Sequence, residues 1–322
     1  LTTILNALEI NINNVSETGI GMTIPRYRVD VTRPADIIEE ILRVYGYNNL
    51  EDKPLRYEAN PPYNWKDSYK LEATIAQKLT GHGYMEIMNN SLTSPEYGAD
   101  FHDPVTLVNP LGKELALLRQ SLLYNALEVV SFNLNRQNKN LKLFEFGSIY
   151  GKKNEAFVEA KRLSIVLVGD ALESNWDLNK APSNFFYGKG VIQDMFASVG
   201  IADIEWTEQQ HPHFDEAFQI TFRKKNLGIY GLVSKALGNS FGIDQEVYLA
   251  ELNWEDFMEK AYNQPLRYEE VSKFPLVRRD FALLLDNEIH FDALKETALK
   301  TDRKILKEVR LFDVYEGKNL EK

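Results

Sequence analysis

Leu118-Arg-Gln-Ser-Leu-Leu-Tyr-Asn-Ala-Leu-Glu-Val-Val-Ser-Phe-Asn-Leu-Asn-Arg-Gln137, followed three residues later by Leu141-Lys-Leu-Phe-Glu-Phe-Gly-Ser-Ile-Tyr150, decides the reading of the fold. Leu122, Leu127, Val130 and Leu134 fall on one side of a helix, so the spacing predicts a long amphipathic helix over 121–135. The second segment alternates bulky and small or polar residues with period two and reads as a strand over 141–150. The same pattern extends outward. Lys70–Leu79 reads as a helix that stops near Gly81 and Gly83, and 190–199 as another. Glu86–Leu92, Val105–Val108, Leu163–Val168, Phe218–Phe222 and Leu227–Ser234 read as strands. Residues 67–263 therefore predict a mixed, mainly antiparallel sheet flanked by helices.

Two smaller regions flank this one. In 1–49, Thr2 or Thr3 is placed to cap a short helix carrying Ile4, Leu5 and Leu8, and Gly19 and Gly21 break the pattern. Pro34 suits the first turn of a second helix, where its missing N–H costs nothing. Ile37, Ile38, Ile41, Leu42 and Tyr45 form its apolar side, and Gly46 ends it. The whole reads as a small, winged-helix-like module. Pro54, Pro61 and Pro62 mark 50–66 as a linker. In 264–322, a strand at Phe281–Leu285, a helix at Asp292–Leu299 and a strand at Val309–Val314 make half of a ferredoxin-like fold. The fold class is α+β.

The composition, 44% apolar and 26% charged over 322 residues, allows several cores. No apolar run approaches the ~20 residues of a membrane span, and no basic-plus-apolar leader precedes the chain, so a cytoplasmic protein is expected. Starting at Leu1, the chain reads as a piece of something longer. The absence of cysteine excludes thiolate zinc sites and a cysteine nucleophile. A net charge of −10 argues against general affinity for phosphate backbones, so any RNA contact should be local. His211 and His213 flank Pro212 as loop residues without a third ligand nearby.

Asp36, Glu39 and Glu40 stand at i, i+3 and i+4 on one helix face, with Asp30 just upstream. Spacing alone favours a solvated acidic face, Asp36 serving the helix dipole and Glu39 pairing with Arg43. Hard carboxylate oxygens also suit magnesium. Arg278 and Arg279 are candidates for RNA phosphate, although neighbours in a strand point to opposite faces. Lys300, Arg303, Lys304 and Lys307 add a basic helix end.

Three segments resemble one family in order. Ile24-Pro-Arg-Tyr-Arg-Val-Asp30 through Tyr47 resembles the module after the editing region of bacterial phenylalanyl-tRNA synthetase β subunits. Asn109-Pro-Leu-Gly-Lys-Glu114, Leu118-Arg-Gln-Ser-Leu-Leu123, Asn133–Gln137 and Leu143-Phe-Glu-Phe-Gly147 are similar to that subunit's catalytic-like domain. Phe274-Pro-Leu-Val-Arg-Arg-Asp-Phe281 with Leu311-Phe-Asp-Val-Tyr315 resembles the start of its ferredoxin-fold anticodon-binding domain. The resemblance implies a class II synthetase-like antiparallel domain and an α2β2 assembly with a catalytic α subunit that uses ATP. It also implies a role in positioning the tRNA specific for phenylalanine. It assigns Asp30, Asp36, Glu39 and Glu40 to a Mg2+ site shared with α, and Arg119, Arg136 and Gln137 to the subunit interface. Adenylation needs cations against the phosphate. Leu143 stands where the class II Arg-x-Glu motif places arginine, and no Gly-rich strand ending in Glu-Arg follows. The resemblance therefore implies no catalytic residue here and no productive ATP binding. Two rivals remain: a free-standing adenylating enzyme, and a winged-helix nucleic-acid regulator, against which the acidic helix face of 1–49 counts.

Overall fold

The computed structural model describes residues 1–51, 67–98, 103–154, 156–172, 176–177, 179, 181–264, 268, 270–286, 288–302 and 304–315. The linker reading over 50–66 lies almost wholly outside the described residues. The chain divides into two compact units, Leu1–Pro265 and Leu266–Lys322.

The N-terminal region runs α1 (Thr2–Ala7), β1 (Asn11–Val15), β2 (Ile20–Thr23) and α2 (Pro34–Tyr45). No side chain caps α1, so the expected threonine cap is absent. Ile12↔Met22 and Val15↔Ile20 zip β1 and β2 into an antiparallel hairpin where the glycines alone predict only a broken pattern. Leu5, Ile10 and Val31 form its small core. Pro34 opens α2, and Gly46 closes it at φ 95°, a left-handed value that favours glycine. No residue of α2 is fully buried. Its apolar side instead lines an open groove of about 630 Å³ with Ile20, Met22 and Ile24.

The larger region continues with α3 (Ser68–Gly81), β3 (Met85–Glu86), β4 (Leu92–Thr93), β5 (Leu117–Leu118), α4 (Leu123–Leu134), β6 (Leu141–Lys153), β7 (Ala156–Val168), β8 (Asp170–Leu172) and β9 (Ala181–Pro182). Then follow α5 (Phe185–Ser198), β10 (Glu205–Glu208), β11 (Phe214–Phe222), β12 (Lys225–Val233), α6 (Lys235–Ser240), β13 (Val247–Asn253) and α7 (Trp254–Tyr262). Seven strands make one sheet in the order β10-β11-β12-β13-β7-β6-β3. All its pairings are antiparallel except β3 with β6.

Alternation along the strands separates two cores. Phe144, Leu163, Ile165, Ala250 and Leu252 face α3, α5 and α7, with Ile75, Leu79, Met195, Phe196 and Phe257. Leu141, Leu143, Val166, Val168 and Leu249 face α4, with Leu123, Leu127 and Val130. Helices thus cover both faces, each burying an apolar stripe.

Several local expectations need correction. The strand expected at Glu86–Leu92 shrinks to two short pieces, because Asn89 leaves the sheet edge to bind Glu145. Val105–Val108 makes a single bridge, Thr106↔Leu117. Helix α5 begins five residues before the expected Gly190, because Asn184 caps it through Tyr187 N at 2.9 Å. Strand β13 and helix α7 have no counterpart in the sequence-based expectation.

In the second unit α8 (Phe291–Thr301) covers the expected helix. The expected strands at Phe281–Leu285 and Val309–Val314 are absent among the described residues. A strand exists only through its ladder partner, and Phe281, Leu284, Phe312 and Val314 are exposed instead.

Leu127 is fully buried between α4 and the sheet. Truncating it to Ala should cost about 2–5 kcal/mol in urea unfolding. Val15→Ala on the exposed hairpin should stay within about 0.5 kcal/mol of the unchanged chain.

Candidate functional site

Two places collect the charged groups singled out from sequence: the centre of the sheet beneath α4, and the start of α2.

Glu145 of β6, Ser164 of β7 and Glu251 of β13 lie directly across from one another, Glu145↔Ser164↔Glu251. With strands about 4.8 Å apart, this sets two carboxylates roughly 10 Å apart on the α4 face. A buried carboxylate must find donors or give up its charge. Glu145 accepts from Arg119 Nη1 at 2.8 Å, Asn89 Nδ2 at 2.7 Å and Asn89 N at 3.2 Å. The pair is sealed, with Arg119 and Glu145 side chains 4% and 3% exposed. Arg119 Nε also donates to the Ser148 carbonyl at 2.9 Å. Gly147 makes room for it, since a Cβ there would stand 2.3 Å from Arg119 Nη2.

Glu251 takes the other end. It accepts from Ser121 Oγ at 2.5 Å and from Leu122 N at 3.0 Å, so a carboxylate from the sheet caps the N-terminus of α4. Burial pushes its carboxyl above the usual range, opposed by Ser121, Arg162 and the Leu122 N–H. The stretch Arg119–Leu122 is thereby pinned across the middle of the sheet. Sequence patterns place Glu145 in a motif but do not reveal Glu251, Asn89 and Ser121 as its companions. A lone Glu within the apolar run Val247–Leu252 is the available signal.

Arg119, expected at a subunit interface, is turned inward. Arg136 and Gln137 are exposed at the C-terminal end of α4. The Arg136 guanidinium lies 3.4 Å over the Phe132 ring, and its Nη1 donates to the Phe132 carbonyl at 3.0 Å. Gln137 takes a left-handed φ of 67° just past the helix. His213, in a turn as expected of a loop residue, is nonetheless buried and packs edge-on against Tyr124, which stacks on Tyr97 at 4.6 Å.

At α2 the four acids do not converge. Asp36 accepts from Thr32 N at 2.9 Å, Arg33 N at 2.8 Å and the Arg33 guanidinium at 3.0 Å. These donors, the Thr32 amide foremost, hold its carboxyl at about 2. Glu39 is exposed on the helix. Asp30 and Glu40 do meet, around Arg28: its Nη2 stands 2.8 Å from Asp30 Oδ2 and 2.9 Å from Glu40 Oε1. Arg28 lowers the Asp30 carboxyl, and Arg43 and Arg28 lower that of Glu40. Among the described residues, no three His, Asp or Glu side chains are gathered as a metal cage. The point flanked by Asp30 and Glu40 is thus filled by the Arg28 guanidinium, while Asp36 serves as a helix cap and Glu39 stands apart.

Arg278 and Arg279 are exposed and lie outside any strand, so the opposite-faces argument does not apply; Arg278 Nε pairs with Asp280 at 3.2 Å. No described helix is long and apolar enough to cross a membrane.

Comparison with known proteins defines the class first. Residues 1–47 match the tRNA synthetase B5 domain, and residues 272–322 match the ferredoxin-fold anticodon binding domain. Residues 58–254 match the family described as phenylalanyl tRNA synthetase beta chain CLM domain. The chain belongs to the phenylalanyl-tRNA synthetase β-chain family. It is 37% identical to the phenylalanine–tRNA ligase beta subunit of Bacteroides fragilis over 100% of this chain and 41% of that one. It is 38% identical to that of Porphyromonas gingivalis, over 98% and 41%. The chain thus spans about two fifths of the length of these relatives. A pyrrolysyl-tRNA synthetase from Desulfitobacterium hafniense superposes at TM-score 0.49 and 16% identity, over 81% of this chain and 89% of that one, too loosely to define the fold.

Breaking the sealed pair should be costly in one order and mild in the other. Arg119→Met leaves Glu145 unpaired and should lose about 3–5 kcal/mol in urea unfolding; Arg119→Met with Glu145→Leu should recover most of it. Because the folded state holds Glu251 above its ordinary 4.5, its contribution is complete below that pH and falls as pH rises through the folded pKa. Glu251→Gln should flatten that decline in a stability–pH profile.

Proposed function

We propose that this chain is the non-catalytic scaffold and tRNA-positioning part of a phenylalanine–tRNA ligase, with amino-acid activation and transfer performed by a separate α subunit. Its central region, 67–263, is a class II synthetase-like domain without the catalytic arginines. Residues 1–49 form a winged-helix-like module, 50–66 a linker, and 264–322 the beginning of an anticodon-binding domain. One observation carries the reading: the arginine beneath α4 is consumed internally. Arg119 spends its guanidinium on Glu145 and on the Ser148 carbonyl, and Leu143, where a phosphate-binding arginine would stand, is buried in the apolar core. In this reading neither position offers a free guanidinium to a phosphate.

The relatives are named as beta subunits of a ligase, which supports a partner subunit; the proposal takes the assembly to be α2β2 and its place to be the cytoplasm. In this reading Arg136 and Gln137 meet α directly, while Arg119 acts only by fixing the start of the same helix. Arg278 and Arg279 face the tRNA specific for phenylalanine. ATP is bound and used by α. A magnesium ion shared with α would be held from this chain by Asp30 and Glu40, and would supply positive charge between the two subunits.

Sedimentation velocity of the chain with the cognate α subunit tests the proposal. A mixed species should form at micromolar concentration, and Arg136→Glu should weaken it at least tenfold while leaving the chain's own unfolding midpoint unchanged. Independent sedimentation of the two chains would contradict the scaffold role.

A further inference from the structure

We draw no further inference here: the strongest candidate, the arm that β6 and β7 form beyond the reach of β13, with Phe157 and Val158 exposed along its edge, carries nothing because nothing in the structure shows what covers it.

Discussion

Two carboxylates, Glu145 and Glu251, stand on the same face of the central sheet with helix α4 laid over them, and most of the larger region is arranged to keep them satisfied. Glu145 draws in Arg119 and both donors of Asn89. The first contact requires a glycine at 147; the second ends the short edge strand β3 and bends the chain away from the sheet. Glu251 draws in Ser121 and the amide of Leu122, the residue just before α4. The helix therefore starts where the carboxylate is, and its apolar side falls onto Leu141, Val166 and Leu249. An apolar row at these strand positions would pack α4 as well, but nothing would fix where along the sheet it begins.

A second, smaller region uses the same physics in the open. Three arginines neutralise three of the acids along α2 and the segment before it, and each pair has a different task. Arg33 and Asp36 close the helix end, Arg43 steadies Glu40 from the solvent side, and Arg28 ties the incoming segment to the helix. These pairs are mostly half-exposed, so their strength is limited by screening. They differ in this from the pair under α4, whose side chains are sealed from solvent. The chain thus has one electrostatic knot buried under a helix and one lying partly in solvent.

What is legible in the sequence follows from range. Helix α4 and strand β6 can be read in kind because their periodicity lies within a few residues, and Pro34 and Gly46 mark the ends of α2 locally. Strand β13 escapes such a reading because Val247–Leu252 is buried almost throughout and shows no alternation. The contacts that matter most join residues 26 and 130 positions apart, Arg119 with Glu145 and Ser121 with Glu251, and no local pattern announces them. The acids of α2 share a helix face by spacing, yet Asp36 turns back to cap the helix. Arg119 reads as an interface residue because an exposed and a buried arginine look alike in one dimension. The apolar run Phe281-Ala-Leu-Leu-Leu285 suits a strand, but composition alone does not supply the ladder partner that makes one.

The larger region ties Arg119 to Glu145 beneath α4, and the proposal that it does not handle nucleotide rests on that contact. Isothermal titration of Mg·ATP into the chain, with and without phenylalanine, tests this most directly. No saturable heat up to millimolar nucleotide is predicted, in either the unchanged chain or one carrying Leu143→Arg. Saturable binding in the micromolar range by the unchanged chain would contradict the account.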